Sequence, residues 1–219
     1  MLQTKDLFDL THTMAAPLLE KTAYPWEALA GIRDLILSLG PTLRPEDYDH
    51  PAETVWIAKN VKLAPTASIT GPCIIGPDTE VRQCAFIRGS ALVGAGCVVG
   101  NSTELKNVIL FDGVQVPHYN YVGDSILGYK SHMGAGSITS NVKSDKTLVV
   151  VKDGAEHIAT GLKKFGAVLG DHVEVGCGSV LNPGTVLGRN VSVYPLSSVR
   201  GVIPANHIFK GPGNVAQRV

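Results

Sequence analysis

Large aliphatic residues recur at every sixth position through the middle of the chain. The first run begins at Ile57 and continues without exception to Leu105, and the residue four positions after each member is small or β-branched. A second run, from Leu169 to Val199, has companions of the same kind. Between the two runs the pattern continues with a slip of one residue, at Val122, Leu127 and Met133. Most of the chain therefore consists of one repeated six-residue unit.

A six-residue period matches neither an α-helix, which repeats near 3.6 residues, nor an alternating strand, which repeats at two. One large and one small apolar residue per unit fit a short strand followed by a tight corner. Glycine, asparagine, aspartate and proline recur between the apolar positions, as sharp corners require. Three such strands close a triangular coil, which buries its inner face by stacking on its neighbours. The repeat predicts an all-β protein with a parallel β-helix over residues 55–205.

The segments on either side of the repeat have other patterns. Residues 4–40 place apolar residues at helical spacing, and Gly40–Pro41 ends the last of two or three predicted helices. Because the end of a β-helix exposes unpaired strand edges, residues 1–54 are predicted to be a helical cap and connector. Residues 206–219 follow the last repeat, and we expect a C-terminal tail there.

Residues 139–168 interrupt the repeat. They contain an apolar stretch at Leu148–Val151, a turn at Lys152–Gly154 and two adjacent lysines, Lys163 and Lys164. The pattern predicts an excursion loop or ribbon that leaves the prism. Long loops on a rigid scaffold often carry function.

The composition removes several classes of partner. Lys+Arg and Asp+Glu both total 19, so the formal net charge is zero and no basic footprint for nucleic acid or an anionic membrane is indicated. The N-terminus carries charges where a signal peptide would be apolar, and no stretch of 18 apolar residues occurs. The four cysteines lack metal-ligand spacing. We expect a cytoplasmic protein with no nucleic-acid partner, no membrane partner and no metal.

The richest stretch for chemistry is 116–141, VPHYNYVGDSILGYKSHMGAGSITSN. Its two parts, His118–Asp124 and Gly134–Asn141, resemble the H-x-x-Y-x-G-D and G-A-G-T-I-T-x-N stretches of one enzyme family. That family is the C-terminal acetyltransferase domain of bifunctional UDP-N-acetylglucosamine pyrophosphorylase/glucosamine-1-phosphate N-acetyltransferases. The ungapped match covers roughly 88–141, and a looser one covers 169–210. Archaeal sugar-phosphate nucleotidyltransferases with amino-sugar acetyltransferase activity look closer still.

The resemblance implies a left-handed β-helix and an acetyl-CoA-dependent N-acetyltransferase acting on glucosamine- or galactosamine-1-phosphate. By the same resemblance, His118 is the general base that takes a proton from the sugar ammonium. Asn141 would orient the amine or the amide being formed. The backbone N–H of Ala135, between two glycines, would stabilise the oxyanion.

Four further residues match substrate-binding positions of the family. Arg88 and Lys106 would hold the sugar phosphate, since two cations suit a phosphate dianion. Tyr121 would hydrogen-bond the sugar or its phosphate. His132 stands where the bacterial enzymes usually have asparagine, so it would alter contacts to the sugar or acyl group.

The resemblance also implies where acetyl-CoA binds and how the chains assemble. Acetyl-CoA would lie along the later coils, 169–204, with Cys177 near the thioester. Lys163, Lys164 and Lys210 are rival candidates for the CoA phosphates. Aminolysis of a thioester needs no metal. Members of the family pack as trimers with sites between neighbours, so we expect a homotrimer whose excursion loop reaches toward an adjacent subunit.

Two departures from the family limit what carries over. The glycine-rich G-x-G-T-R-M signature is absent and residues 1–54 are too short for a nucleotidyltransferase domain, so we expect no uridylyl transfer by this chain. Val142–Lys143 replaces the family's Y-D-G turn, which leaves the identity of the sugar open.

Three alternatives accompany this interpretation. A γ-type carbonic anhydrase shares the fold but binds metal through three histidines, two of them five residues apart, and that spacing does not occur here. The acceptor is alternatively a sugar nucleotide or another acceptor, such as serine. The chain is alternatively a non-catalytic module that binds a sugar phosphate or nucleotide sugar.

Overall fold

The computed structural model describes residues 2–218 and shows a parallel β-helix with a helical segment along one side. Met1 and Val219, which belong to the predicted segments 1–54 and 206–219, lie outside the described residues. Each coil contributes short strands to three faces, here called I, II and III, and equivalent strands of successive coils pair in parallel. The predicted β-helix is confirmed.

The strands are as short as the six-residue period requires. Strands confined to face I are Ser68–Thr70, Ile138–Thr139, Val180–Leu181 and Ser198–Val199. Those of face II are Val55–Ala58, Cys73–Ile75, Ala167–Leu169, Thr185–Leu187 and Val202–Ile203. Three strands bend from face I onto face II: Phe86–Val93, Glu104–Leu110 and Tyr121–Leu127. Face III comprises Lys62–Leu63, Glu80–Val81, Val98–Asn101, Gln115–His118, His132–Met133, Glu174–Val175, Ser192–Val193 and His207–Gly211.

The interior of the prism is a stack of the repeating aliphatic side chains. Ile87, Val99 and Leu105 are fully buried there. The chain turns its corners through residues with positive φ, a conformation that is unfavourable for most residues other than glycine. The corner between faces III and I, here called corner III/I, is turned in successive coils by Cys84, Ser102, Tyr119, Gly136, Gly178 and Leu196.

The one-residue slip in the repeat corresponds to an irregular register between two strands. Arg88 pairs with Lys106, but three residues later Ala91 pairs with Val108. Two residues of one coil thus oppose a single residue, Asn107, of the next, as in a β-bulge. The slip turns Ile109 outward onto face II, beside Leu92, although the uninterrupted period assigns it to the interior.

The helical segment lies along face II and does not cap the open end. Its α-helices are Thr4–Leu7, Ala16–Leu19 and Ile32–Leu39, and its 3₁₀ turns are Leu10–His12, Pro25–Gly31 and Gly40–Thr42. Within residues 2–218, no helix has the length and apolar character needed to cross a bilayer. Helix Ile32–Leu39 contacts the strands Phe86–Val93 and Glu104–Leu110. The Phe8 ring lies 4.8 Å from the Phe111 ring, centroid to centroid.

The reason for this placement is an apolar stripe on the outer surface of face II. It consists of Trp56, Ile74, Leu92, Ile109, Ile126, Val168, Val186 and Val202. Covering this stripe removes its apolar surface from water, which favours packing of the helical segment against face II. At the first coil, Leu63 stays 44% exposed, so the predicted cap is wrong in position.

The two ends of the β-helix are flanked instead by antiparallel strands. Tyr48–Ala52, within the predicted connector, pairs with Val55–Ala58 of the first coil. At the other end, Asn214–Gln217 pairs with His207–Gly211. The expected tail is therefore part of the sheet, because Phe209 continues the apolar repeat and is 5% exposed.

The excursion is a β-hairpin of strands Val150–Asp153 and Glu156–Ala159, as predicted. It folds back over its own chain: Val149 and Val151 are fully buried. A Cβ added to Gly201 would lie 2.7 Å from the Lys152 carbonyl oxygen, so the hairpin rests closely on the later coils. The apolar side chains of the hairpin pack within the same subunit, and the expectation that this loop also reaches an adjacent subunit stays a prediction.

Candidate active site

Three of the predicted site residues stack at corner III/I in successive coils. The Gly136 N–H donates to the His118 carbonyl at 2.9 Å, and the Gly178 N–H donates to the Ala135 carbonyl at 2.8 Å. Coils in such a stack are about 4.8 Å apart. The column therefore runs from His118 through Ala135 to Cys177, and all three residues are exposed.

Asn120 fixes the local geometry of this column. It is 2% exposed, and its Oδ1 accepts the His118 N–H at 3.1 Å. Its Nδ2 donates to the carbonyls of Gly134 and Ser137 at 2.9 and 3.0 Å, on either side of Ala135. One buried amide thus links the histidine to the turn that presents the Ala135 N–H. Asn120 was not among the residues predicted from the sequence, although an asparagine at an interior position of the repeat was the available signal.

A second group of residues lies on face I, around the buried carboxylate of Asp124. Lys106 Nζ is 2.7 Å from Asp124 Oδ1, and Asn107 Nδ2 donates to the same oxygen at 3.0 Å. Asn141 Nδ2 donates to Asp124 Oδ2 at 2.5 Å and to the Tyr121 hydroxyl at 3.2 Å. The structure therefore brings the predicted residues Lys106, Tyr121 and Asn141 together.

The hydrogen bonds of this group fix which atoms are left for a ligand. An ionised carboxylate only accepts, so the Asn141 amide must turn its NH₂ toward Asp124. Both N–H groups of Asn141 are then used, and its Oδ1 is the atom left to accept from a ligand. Tyr121 accepts from Asn141 and can donate its own proton. Burial, followed by the charges of Asp124 and Glu104, raises the pKa of Tyr121, so its hydroxyl stays protonated at neutral pH.

The predicted phosphate ligands lie side by side on face I, but each is paired with a carboxylate. Arg88 and Lys106 are register partners on neighbouring strands. Arg88 Nε lies 2.6 Å from Glu104 Oε1, and Lys106 is bound by Asp124. Glu104 precedes Lys106 by two residues and therefore shares its face of the strand. Glu104 was not among the predicted site residues, although this spacing is visible in the sequence.

His132 is separated from the Asp124 group. It lies on face III, and its Nδ1 is 2.8 Å from Glu174 Oε2 of the next coil. Its other register neighbour is Gln115, three residues before His118. Its predicted role in substrate binding stays a prediction, and any such role would be exercised from face III.

The lysines predicted to bind CoA fall in two different places. Lys210 lies on face III beside Tyr194, with Nζ 5.9 Å from the ring centroid, in the direction of the later coils from Cys177. Lys163 and Lys164 directly precede Phe165, whose N–H donates to the Asn141 carbonyl. They are exposed at the corner between faces I and II, across face I from Cys177.

The described part of the chain contains no preformed set of metal ligands. No group of three or more His, Cys, Asp or Glu side chains among residues 2–218 is arranged to hold a metal ion. The accessible side chains of the site are a histidine, a thiol and two cations paired with carboxylates, of which Lys106 is half-buried. Such a set suits proton transfer and hydrogen bonding to an anionic, polar ligand.

Comparison with known proteins supports a common origin for the β-helix. The family model described as the GMPPB C-terminal domain matches residues 69–208. A bifunctional sugar-1-phosphate nucleotidylyltransferase/acetyltransferase from Sulfurisphaera tokodaii is 30% identical over 135 residues, which are 62% of this chain and 32% of that protein. The bifunctional protein GlmU of Methanococcus maripaludis is 36% identical over 106 residues, 48% of this chain and 26% of that protein.

These relatives are much longer than the chain, which covers about a third or less of their length. The activities in their names belong to those proteins as wholes. Among solved structures, a hexapeptide transferase family protein from Anaplasma phagocytophilum has a TM-score of 0.45 at 14% identity, covering 75% of this chain and 79% of that one.

Proposed function

The chain belongs to the GMPPB C-terminal domain family of hexapeptide-repeat β-helices, and from this premise we propose that it is an acetyl-CoA-dependent N-acetyltransferase of an amino-sugar 1-phosphate. The acceptor would be glucosamine- or galactosamine-1-phosphate. The single observation that carries the proposal is the column of His118, Ala135 and Cys177 beside the group around Tyr121 and Asn141. The acetyltransferase relatives support the type of reaction.

His118 is the general base of the proposed reaction. Its imidazole takes a proton from the sugar ammonium, and the resulting amine attacks the thioester carbonyl carbon. The imidazole passes this first proton to solvent and takes a second one from the attacking nitrogen as the C–N bond forms. The C–S bond of the tetrahedral intermediate then breaks, and the CoA thiolate leaves with the proton of the imidazolium. The exposed ring and the backbone held by Asn120 suit this role, because the base must face the ligand from a fixed position.

Ala135 and Asn141 assist at the reacting atoms. The Ala135 N–H is presented at an exposed turn one coil beyond His118, where it can donate to the developing oxyanion. Asn141 offers Oδ1 as an acceptor, which suits the N–H of the amine or of the amide product. The Ala135 N–H would thus donate to the oxygen of the forming amide, and Asn141 Oδ1 would accept from its nitrogen.

Arg88 and Lys106 are the proposed phosphate ligands. Arg88 bonds Glu104 through Nε, so its two terminal nitrogens are available for a fork-shaped contact to phosphate. The pairing of both cations with carboxylates also favours a second candidate acceptor. A sugar nucleotide carries its charge on diester phosphates, one charge on each, and suits a compensated site better than a phosphate dianion does.

A homotrimer is the proposed assembly. Face II is covered by the chain's own helical segment, so faces I and III are left for contacts between subunits. Corner III/I exposes Tyr119 and Leu196, at 65% and 86%, close to the His118 column. Light scattering should give a mass of three times 23.1 kDa, about 69 kDa. Leu196→Asp should lower that mass, and a monomeric wild type would refute the assembly.

The test of the reaction is a thiol-release assay with acetyl-CoA and each amino-sugar 1-phosphate. Wild type is compared with His118→Ala and with His172→Ala, which removes an exposed histidine at another corner. We expect turnover in wild type, a loss of about 10² or more in His118→Ala, and no comparable loss in His172→Ala.

The outcomes separate the candidate acceptors. Turnover with a nucleoside-diphosphate amino sugar, and none with either sugar 1-phosphate, would favour the second candidate. Binding without turnover of any acceptor would leave only the non-catalytic module. Equal activity in wild type and His118→Ala would remove His118 from the mechanism.

A further inference from the structure

We infer that Asp124 is the positioning residue of the acceptor site, and that it connects this site to the N-terminal helical segment. The inference rests on the proposed function, because it explains how Asn141 and Lys106 are held. Asp124 itself is 3% exposed, so it acts through the residues around it.

Three side chains, from the coils on either side of Asp124, converge on this one carboxylate. Lys106 and Asn107 bind Oδ1, and Asn141 binds Oδ2 at the shortest distance of the three, 2.5 Å. A buried carboxylate requires hydrogen bonds to its oxygens, because an unpaired polar group is costly to bury. These donors supply that requirement, and in return each donor is restricted to one position.

The consequence for Asn141 is a defined polarity. Because Asp124 takes one of its N–H groups and Tyr121 takes the other, Oδ1 is presented as an acceptor. A rotated amide would put the Asn141 oxygen against the carboxylate, which is repulsive. Asp124 thereby selects ligands that bring an N–H or O–H donor to this position, as an amino sugar does.

The consequence for Lys106 is a restricted and compensated charge. Its Nζ donates to Asp124 and keeps two further N–H groups, while the pair as a whole is neutral. An unrestrained lysine would bind phosphates with little regard to geometry. Because Asp124 holds the Lys106 Nζ at 2.7 Å, a phosphate bound by Lys106 lies at a fixed distance from Asn141.

The helical segment reaches the same carboxylate through Asn107. The Asn107 Nδ2 donates both to Asp124 Oδ1 and to the Leu29 carbonyl, at 3.0 and 3.3 Å. On the neighbouring side, the Phe165 N–H donates to the Asn141 carbonyl, and Phe165 packs on Trp26. The segment, which covers face II, therefore supports the acceptor site on face I through Asn107 and Phe165.

The kinetic test uses Asp124→Asn with Asp171→Asn as the matched control. Asp171 is equally buried, at 3% exposed, and also accepts several hydrogen bonds, but it holds Asp9 and Tyr129 at another corner. We expect Asp124→Asn to lower kcat/KM for the acceptor about 10²-fold, because a displaced contact of about 1 Å costs that much. The KM for acetyl-CoA should stay unchanged, and Asp171→Asn should stay within about twofold of wild type in both constants.

A double-variant cycle distinguishes positioning from a general loss of structure. If Asp124 acts largely through Asn141, the double variant Asp124→Asn/Asn141→Ala should fall within about threefold of Asn141→Ala alone. If the full loss in Asp124→Asn multiplied the loss in Asn141→Ala, the positioning of Asn141 by Asp124 would be refuted. An Asp124→Asn enzyme with unchanged kcat/KM would also overturn the inference.

The crystal structure of the Asp124→Asn variant supplies a readout that does not depend on activity. We expect the Asn141 side chain to leave its position or to rotate its amide. An Asn141 that keeps both its position and its hydrogen bonds would overturn the inference even if the proposed reaction is correct. Wild-type protein without any acetyl transfer would refute the proposed function, while displacement of Asn141 in the variant would still support the positioning role.

Discussion

The indole of Trp26 packs against the ring of Phe165 with centroids 5.7 Å apart. Trp26 belongs to the helical segment, and Phe165 stands where the excursion returns to the β-helix. Both side chains are buried, at 1% and 0% exposed. Because the Phe165 N–H donates to the Asn141 carbonyl, this aromatic contact supports the backbone of the candidate site.

Trp26→Ala should lower the free energy of unfolding by about 3–5 kcal/mol, the usual cost of removing a large buried aromatic side chain. Urea unfolding followed by circular dichroism measures the change. The control Val215→Ala alters a residue that is 41% exposed on the last strand, and it should shift stability by no more than about 0.5 kcal/mol. Equal effects of the two substitutions would mean that the segment is not held by this contact.

The four thiols should react in two classes. Burial raises the pKa of Cys73 and of Cys97 to about 12, so neither forms a thiolate at pH 8. Cys84 and Cys177 are exposed. Titration with a disulfide reagent should therefore modify two thiols quickly in native protein and the others on unfolding.

The Cys177→Ser variant should lose one of the two fast thiols. If the proposed site is correct, acetyl-CoA should slow the reaction of Cys177 in wild type. Four fast thiols in native protein would contradict the packing of the prism.

The period of six was sufficient to predict the β-helix because the repeating apolar residues that fill its interior are only six positions apart in the sequence. The position of the helical segment was also encoded, in a less direct form. On face II the residue between two interior positions is apolar as well, as in the runs Cys73–Ile75 and Ala167–Leu169. A strand that is apolar on both sides is buried on both sides. That signal identifies face II as covered, and it was overlooked in favour of the strand edges at the end of the prism.

The candidate site was predicted only at residues whose proposed roles involve direct contact with the ligand. His118, Tyr121 and Asn141 were found because their types and spacing match a known pattern. The residues that hold them were not found, since their partners are far apart in sequence. Asn107 touches Leu29, 78 positions away, and no local pattern announces such a contact. The separation of His132 from the Asp124 group was not predicted either. Which face of the prism a residue lies on depends on the corners that precede it, and the motif does not show these corners.

The stability of the protein should respond to the protonation of Asp171. Burial raises the pKa of this carboxyl in the folded state, and the hydrogen bonds from Asp9 and Tyr129 offset this only in part. The folded state therefore binds this proton more readily than the unfolded state does. The stabilising contribution is complete below the unfolded pKa of 3.8 and is lost as the pH rises through the folded value.

Asp171→Asn removes this titration, so the comparison of the two proteins isolates it. As the pH is raised from below 4 toward 7, the variant should gain stability relative to wild type. Thermal unfolding at a series of pH values measures the difference. A difference that moves in the opposite direction would show that the bonds to the ionised carboxylate outweigh its burial.

Glu104 should compete with phosphate for Arg88. The two side chains are joined at 2.6 Å, and Arg88 is 43% exposed, so the pair is of the exposed kind that contributes about 0.2–1 kcal/mol. Glu104→Gln should therefore tighten the binding of inorganic phosphate by up to about fivefold in calorimetric titrations at low salt. The advantage should shrink as salt screens the charges.

The pair of Arg82 and Glu80 on face III provides the control for this prediction. Its Nε–Oε1 distance is 3.1 Å, and neither residue belongs to the proposed site, so Glu80→Gln should leave phosphate binding unchanged. Weaker binding in Glu104→Gln would reverse the assignment. In that case Glu104 holds the guanidinium in its binding position, and the carboxylates of face I act as supports for the phosphate site rather than as competitors.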